Sequence, residues 1–208
     1  MNAGLGSLAV LKAQLLADAL RAGTRYDASL LSIGRGVALA FDGYCDRKLS
    51  RVEDEILVCT ADRIQVYAER YPIESVSTVE LKTDTTSGWV TQTGLIQNLN
   101  EDSGLIYWGS LVAEAYCQLR FTYTGGYWFD ETEESSDSLP VGATALPYDI
   151  QHAWFLQCRA TWSAVDKTGK DIVTTGGASQ FVTGSLSEIK LLPQVTDILR
   201  RYQRYQMV

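Results

Sequence analysis

The sequence predicts an α+β fold: a helical bundle formed by the N- and C-terminal helices, with a small antiparallel β-domain inserted between them. Three observations predict it. Apolar residues recur at three-to-four spacing before Arg47, the period shortens to two from Glu55, and helical spacing returns after Pro147. The expected divisions are bundle helices over 1–54, the β-domain over 55–129, an acidic loop over 130–146, and C-terminal helices over 147–208.

Ser7 is placed to cap a first helix, where Leu8, Leu11, Leu15, Leu16 and Ala19 share a face and Gly23 ends the run. Asp27 is placed to cap a second, with Leu30, Ile33, Val37, Phe41 and Tyr44 at helical spacing. Strand alternation follows in Ile56 and Val58, then Ile64, Val66 and Ala68, then Val76, Val79 and Leu81 after Pro72. Leu105 to Trp108 and Tyr116 to Tyr123 complete the set. In the last run Cys117, Leu119, Phe121 and Tyr123 share one face and Gln118, Arg120, Thr122 and Thr124 the other, the mark of a half-buried antiparallel strand. Turn residues separate the runs at Ala61-Asp62, Thr83 to Gly88, Asn98 to Gly104 and Gly125-Gly126. Asp130, Glu131, Glu133, Glu134 and Asp137 read as a solvated acidic loop.

Pro147 and Asp149 suit the first turn of a helix that carries Ile150, Trp154, Cys158, Thr161 and Val165. The stretch 166–187 holds four glycines and no sustained period, so a long mobile loop is expected there. A last helix begins near Pro193, with Leu192, Val195, Ile198, Leu199 and Tyr202 as its stripe.

Composition narrows the chemistry. The chain is 46% hydrophobic and carries a net charge of -7, so it has material for a core and lacks the basic excess of a general nucleic-acid binder. No apolar stretch has the length of a membrane span, and no secretory signal is expected; Leu8 to Leu20 is broken by Lys12, Gln14 and Asp18. Cys45, Cys59, Cys117 and Cys158 are scattered without a CxxC pair and read as free thiols of a reducing cytoplasm. His152 is the one histidine, so any Ser/His/Asp or Cys/His triad would have to use it; a lone helical histidine reads as surface or packing. No metal-ligand spacing, Walker loop or dinucleotide fingerprint occurs. Gly34-Arg35-Gly36 lies in a helical pattern, where its glycines suit close packing. No catalytic residue, metal site or cofactor is expected.

Two clusters suit partner binding. Tyr107, Trp108, Tyr123, Tyr127, Trp128 and Phe129 gather near the β-region edges, either covering its core or anchoring an interface. Of these, Tyr127, Trp128 and Phe129 are the candidates for a tail-side or inter-subunit contact. Arg200, Arg201, Tyr202, Arg204 and Tyr205 alternate the residue types enriched at interface hot spots, although arginine also suits an ordinary helix end.

Three phrases carry a resemblance. The first runs from Tyr44 to Arg47 and then through Arg70-Tyr71-Pro72-Ile73-Glu74-Ser75-Val76-Ser77-Thr78-Val79. The second is Tyr123-Thr124-Gly125-Gly126-Tyr127 followed by Leu146-Pro147-Tyr148-Asp149-Ile150 and Ala153. The third is Leu191-Leu192-Pro193-Gln194-Val195, then Ile198-Leu199, Tyr202 and Arg204. Together, over roughly residues 27 to 205, the chain resembles the head-tail connector family of tailed double-stranded DNA phages, the neck adaptor or head-completion proteins. The resemblance implies a non-enzymatic virion protein, made in the host bacterial cytoplasm, that forms a ring of about twelve copies. One side would meet the portal protein, toward which the C-terminal segment reaches. The other would meet the next neck or tail component, a stopper or tail terminator. DNA would pass through the lumen without specific binding. The inserted stretch Thr83 to Asn100 and the acidic run after Trp128 depart from shorter members and leave open which surface meets the tail. From the residues alone, two other classes stay open: a carbohydrate- or receptor-binding β-module using the aromatics, and a carboxylate-based hydrolase.

Overall fold

A computed structural model describes residues 1–84, 86–110, 116–130, 139–174 and 189–204. Helices and antiparallel strands alternate in blocks, giving an α+β fold with small antiparallel sheets. The chain divides into two compact units: a helical one built from Met1–Asp46, Phe129 and Asp130, and the described residues from Leu146 on, and a β-unit built from Arg47–Trp128 and Leu139–Ala145.

The helical unit contains α1 (Leu8–Leu15), the short α2 (Asp18–Arg21), α3 (Asp27–Cys45), α4 (Tyr148–Thr174) and α5 (Pro193–Leu199), closed by a 3-10 turn at Arg200–Tyr202. Ser7 caps α1 as its position predicts, its hydroxyl accepting from Val10 N at 3.3 Å. α3 begins with Asp27 inside its first turn, where the carboxylate suits the helix dipole and pairs with Lys12 at 2.6 Å, while Tyr26 holds the cap position. α5 starts at Pro193, whose missing N–H costs nothing at that position. The predicted stripes are buried: Leu30, Ile33, Val37 and Phe41 of α3, Ile150, Trp154 and Cys158 of α4, Val195 and Leu199 of α5.

At the centre lies Trp154. Its indole donates to the Gly34 carbonyl at 3.0 Å. Gly34 has no room for a side chain, because a Cβ would stand 2.3 Å from the Ala3 carbonyl oxygen, and one on Gly6 would stand 2.7 Å from the indole ring. Gly34 thus serves close packing.

Residues 166–174 of the expected loop belong instead to α4, which continues to Thr174, and residues 175–188 lie outside the described residues. One glycine at 169 costs about 1 kcal/mol in a helix, too little to end one already propagating.

In the β-unit, β1 (Val52–Thr60), β3 (Ile73–Lys82), β4 (Val90–Thr91) and β7 (Gln118–Gly125) form one sheet in the order β1-β7-β3-β4. β2 (Gln65–Tyr67), β5 (Asn98–Asn100) and β6 (Leu105–Tyr107) form a second in the order β2-β6-β5, and β8 (Tyr127–Trp128) pairs in parallel with β9 (Thr144–Ala145). β5 occupies residues assigned above to a turn; the turn proper is 101–104. The core collects Ile73, Val79, Ile106, Trp108, Cys117, Leu119, Phe121 and Tyr123, so the alternation of β7 holds.

β3 carries apolar residues three apart, at Ile73, Val76 and Val79, a spacing that a regular strand cannot place on one face. Its pairing with β7 slips twice, between Ile73 and Ser75 and between Val76 and Thr78. Each slip inserts an extra residue, which returns the next apolar side chain to the core side. In β1 the assignment of faces reverses. Leu57 and Cys59 pair opposite the buried Phe121 and Leu119, whereas Ile56 and Val58 face outward opposite Thr122 and Arg120, 59% and 47% exposed. Both faces of β1 are apolar, so alternation alone could not choose between them.

Candidate functional site

The C-terminal segment is folded onto the helical unit through Arg204. Asp149, in the first turn of α4, accepts the Tyr202 hydroxyl at 2.7 Å on one oxygen and faces the Arg201 guanidinium at 3.3 Å on the other. The Gln203 side chain donates to the Tyr44 carbonyl at 3.1 Å and the Arg204 amide to the Cys45 carbonyl at 2.9 Å. These two bonds satisfy carbonyls that the last turn of α3 leaves open. Upstream, Gln157 is buried and brackets the entry to α5, donating to the Lys190 carbonyl and accepting from Leu192 N. The expected partner-binding residues Arg200, Arg201, Tyr202 and Arg204 therefore form one ordered group. Arg200 and Arg201 have side chains 71% and 67% exposed, and Tyr202 and Arg204 are half-buried. Tyr205 lies outside the described residues.

Tyr148 enters the sequence analysis only within a phrase of the resemblance. It precedes Asp149, begins α4, and is 89% exposed. In the sequence Asp149 offers a charge suited to a helix dipole and a place in the second phrase of the resemblance, not a contact with the C-terminal segment. Its signal was available as an acid near a Pro-led helix start together with a distant Arg-Arg-Tyr run, but nothing in spacing links residues so far apart.

The aromatic residues of the β-region divide differently. Trp108 and Tyr123 belong to the core, Trp108 stacking on Phe121 at 5.5 Å. Tyr127 is buried beneath the Arg47 guanidinium, 5.3 Å from its ring, and its backbone is bonded to Leu49 and Arg51. Phe129 is also buried, within the helical unit, and Trp128 is half-buried. The buried rings of Trp108, Tyr123, Tyr127 and Phe129 offer no open platform for stacking a sugar ring, and Tyr107, like Trp128, is half-buried.

A charged cluster that the sequence did not reveal lies at the start of the β-unit. Arg70 is buried and binds Glu55 and the Ser50 carbonyl and hydroxyl. Lys48 bridges Glu55 and Glu69 at 3.1 Å each, and Arg51 grips Glu74 through two bonds of 2.7 and 2.9 Å. Arg47 is buried on the Tyr71 ring, 3.3 Å from its centroid, and donates to the Tyr71 carbonyl. Burial pushes the Glu55 carboxyl up, but the hydrogen bonds from Arg70 and Lys48 outweigh it and hold the group below the usual range. Burial, then the Glu55 charge, pushes the neighbouring Tyr123 phenol up to about 12. Lys48, Arg51 and Arg70 thus meet the three carboxylates of Glu55, Glu69 and Glu74, as in a structural ion-pair network.

On the outward face of the β1-β7-β3-β4 sheet, Arg120 pairs with Glu80 at 2.6 Å under the Trp89 ring, 4.5 Å from its centroid, beside exposed Ile56 and Val58. His152 is exposed on α4. Cys59 and Cys158 are pushed up by burial to about 11 and about 12, which makes both poor nucleophiles. Among the described residues, no group of three His, Cys, Asp or Glu side chains converges on a point, and no helix is long and apolar enough to cross a membrane.

No family model matches the chain, and no curated protein matches it in sequence. Solved structures do match its fold. A chain in the neck of an empty GTA particle, computed with C6 symmetry, superposes with a TM-score of 0.61 at 17% identity, covering 97% of this chain and 90% of that one. A chain in the virion of a native gene transfer agent (GTA) particle gives 0.60 at 17% identity with the same coverage. One in the neck of a native GTA particle, computed with C12 symmetry, gives 0.57 at 15%. At such identities the likeness is one of fold, and it extends over nearly the whole chain.

Proposed function

We propose that this chain is a structural, non-catalytic subunit of a tailed-phage-type particle, a head-tail adaptor that forms a ring on the portal and joins the DNA-filled head to the tail. The observation that carries the reading is the fold likeness, which covers 97% of the chain and involves chains of neck and virion structures. Support of a second kind comes from the arginines at 200 and 201, whose side chains stay exposed near the C-terminal end of the described residues.

On this reading the work is geometric. Identical subunits, about twelve, repeat one modest contact around an axis, and affinity accumulates from the repetition. The ring would extend the channel, let DNA pass without sequence-specific contact, and offer its far side to a stopper or tail terminator. A net charge of -7 per subunit suits a wall from which DNA must slide free. The subunit would be made in the host cytoplasm and end in the virion neck.

Electron microscopy of the purified protein, alone and mixed with the portal protein of the same particle, tests this. A closed ring stacked coaxially on the portal is expected. A protein that neither closes into a ring on the portal nor associates with it would overturn the reading.

A further inference from the structure

We infer that the outer edge of β1 is a self-association surface, where two copies of this chain join β1 to β1 in antiparallel pairing as a dimer of the free protein. The backbone sets this edge. β1 lies at one end of its sheet, with β7 on one side and, among the described residues, no strand on the other. The Ala61 amide donates to the Cys117 carbonyl at 2.9 Å, which marks these two as a bonded pair. Bonded pairs alternate along an antiparallel ladder, so Cys59–Leu119 and Leu57–Phe121 are the next. The N–H and C=O groups of Ile56, Val58 and Thr60 therefore point away from β7, toward the open side.

Side chains leave the same edge uncovered. No residue of β1 is fully buried, whereas β7 beside it buries Leu119, Phe121 and Tyr123. Leu57 and Cys59 face the core yet stay half-buried, and Ile56 and Val58 stand exposed on the other face. Open edges are commonly guarded by charge, proline or a bulge. In β1 the bulge and the carboxylates lie at the start, between Val52 and Glu55, and Ile56–Thr60 carries no guard. One added strand would bond the outward groups and cover both faces.

A second β1 fits that place. The other open-edged strands, β2, β4, β5, β8 and β9, have three residues or fewer, so among the described residues only β1 matches the length of the edge. Antiparallel pairing about Val58 sets each Ile56 opposite the Thr60 of the second copy, which brings outward groups to outward groups. It also parts the exposed carboxylates of Asp54 and of Glu53, already faced by Arg51, which a parallel pairing would crowd together. They lie instead toward Asp62 and Arg63 of the second copy, whose charges cancel. The contact is smaller than the about 1,600 Å² of a standard interface, so the dimer is weak. A two-fold contact does not recur around a ring of like-facing subunits, so it belongs to the unassembled protein and is independent of the adaptor reading.

The test is sedimentation velocity of the full-length protein across a wide range of concentration, with hydrogen exchange at both ends of the range. A shift from monomer to dimer is expected. The amides of Ile56, Val58 and Thr60 should slow about tenfold once nine-tenths of the chains are paired, because only the monomer exchanges, while those of Leu57 and Cys59 keep their rates. Val58→Lys should abolish the dimer with protection on β7 and around Trp154 unchanged. Thr60→Pro, which deletes an outward N–H and none bonded to β7, should do the same if the lysine disturbs the fold. Tyr148→Lys, exposed elsewhere, should keep the dimer. A wild-type protein with no dimer at any concentration, a dimer whose Ile56, Val58 and Thr60 amides gain no protection, or one that survives both edge variants would overturn the inference.

Discussion

The helical unit and the β-unit hold their centres by opposite means. In the first, shape does it: Trp154 fills a slot that exists because residues 6 and 34 have no side chains. The β-unit has an apolar core too, but charge closes one end of it, through Arg70, Glu55, Lys48 and the Arg51–Glu74 pair. A slot tolerates no change of volume and is indifferent to pH and salt. A buried ion-pair network tolerates apolar replacement of both partners but not the loss of one, and it answers to pH.

Breaking each centre should expose the contrast. Trp154→Ala is expected to cost about 4 kcal/mol, the loss for a fully buried large aromatic. Urea denaturation should show it equally at low and high salt. A loss under 1 kcal/mol would mean that the slot collapses freely. Arg70→Ala should cost about 3 kcal/mol, because Glu55 keeps its charge in a poorly hydrated place. Arg70→Met combined with Glu55→Met should recover most of that. Failure to recover would show that the cations around Glu55, and not the cost of an orphaned carboxylate, dominate the site.

The smallest effect is in pH. Glu55 is held below its ordinary value in the folded chain, so its contribution is present above the unfolded carboxyl range, near 4.3, and fades as pH falls through the folded value. Tyr123, raised to about 12, contributes fully below the unfolded phenol value of about 10 and loses that contribution as pH rises toward 12. Amides of β7 should therefore lose protection at both extremes before amides around Trp154 do. Simultaneous loss in both units would contradict the comparison.

The same contrast explains what could be read in advance. Shape of the helical kind is local in sequence. The stripes of α3, α4 and α5 follow a 3.6 period, Ser7 caps α1, Pro193 opens α5, and a glycine inside a helical pattern points to the close packing around Gly34. Alternation in β7 was legible because its two faces differ in polarity. β1 misled because both of its faces are apolar, and β5 because asparagines at either end resemble a turn. The ion-pair cluster was illegible, since Lys48, Glu55, Arg70 and Tyr123 carry no spacing rule and meet only after the strands pair. The C-terminal arginines were noticed by composition, whereas their anchor, Asp149, sits on another helix and was visible only once α4 and the segment lay together.

The two slips in β3 bear on how this stretch can change over generations. Ten residues of β3 run beside the eight of β7, and the surplus is what keeps Ile73, Val76 and Val79 on the core side. Spacing here carries the inheritance more than identity does. Exchanging one apolar residue for another of similar size alters a contact, but losing a single residue such as Ser77 would turn every side chain on one side of the gap to the opposite face. Loops accept gains and losses of length and strands accept few. β3, which already contains two tolerated gains, is a strand that can drift in letters yet not in count.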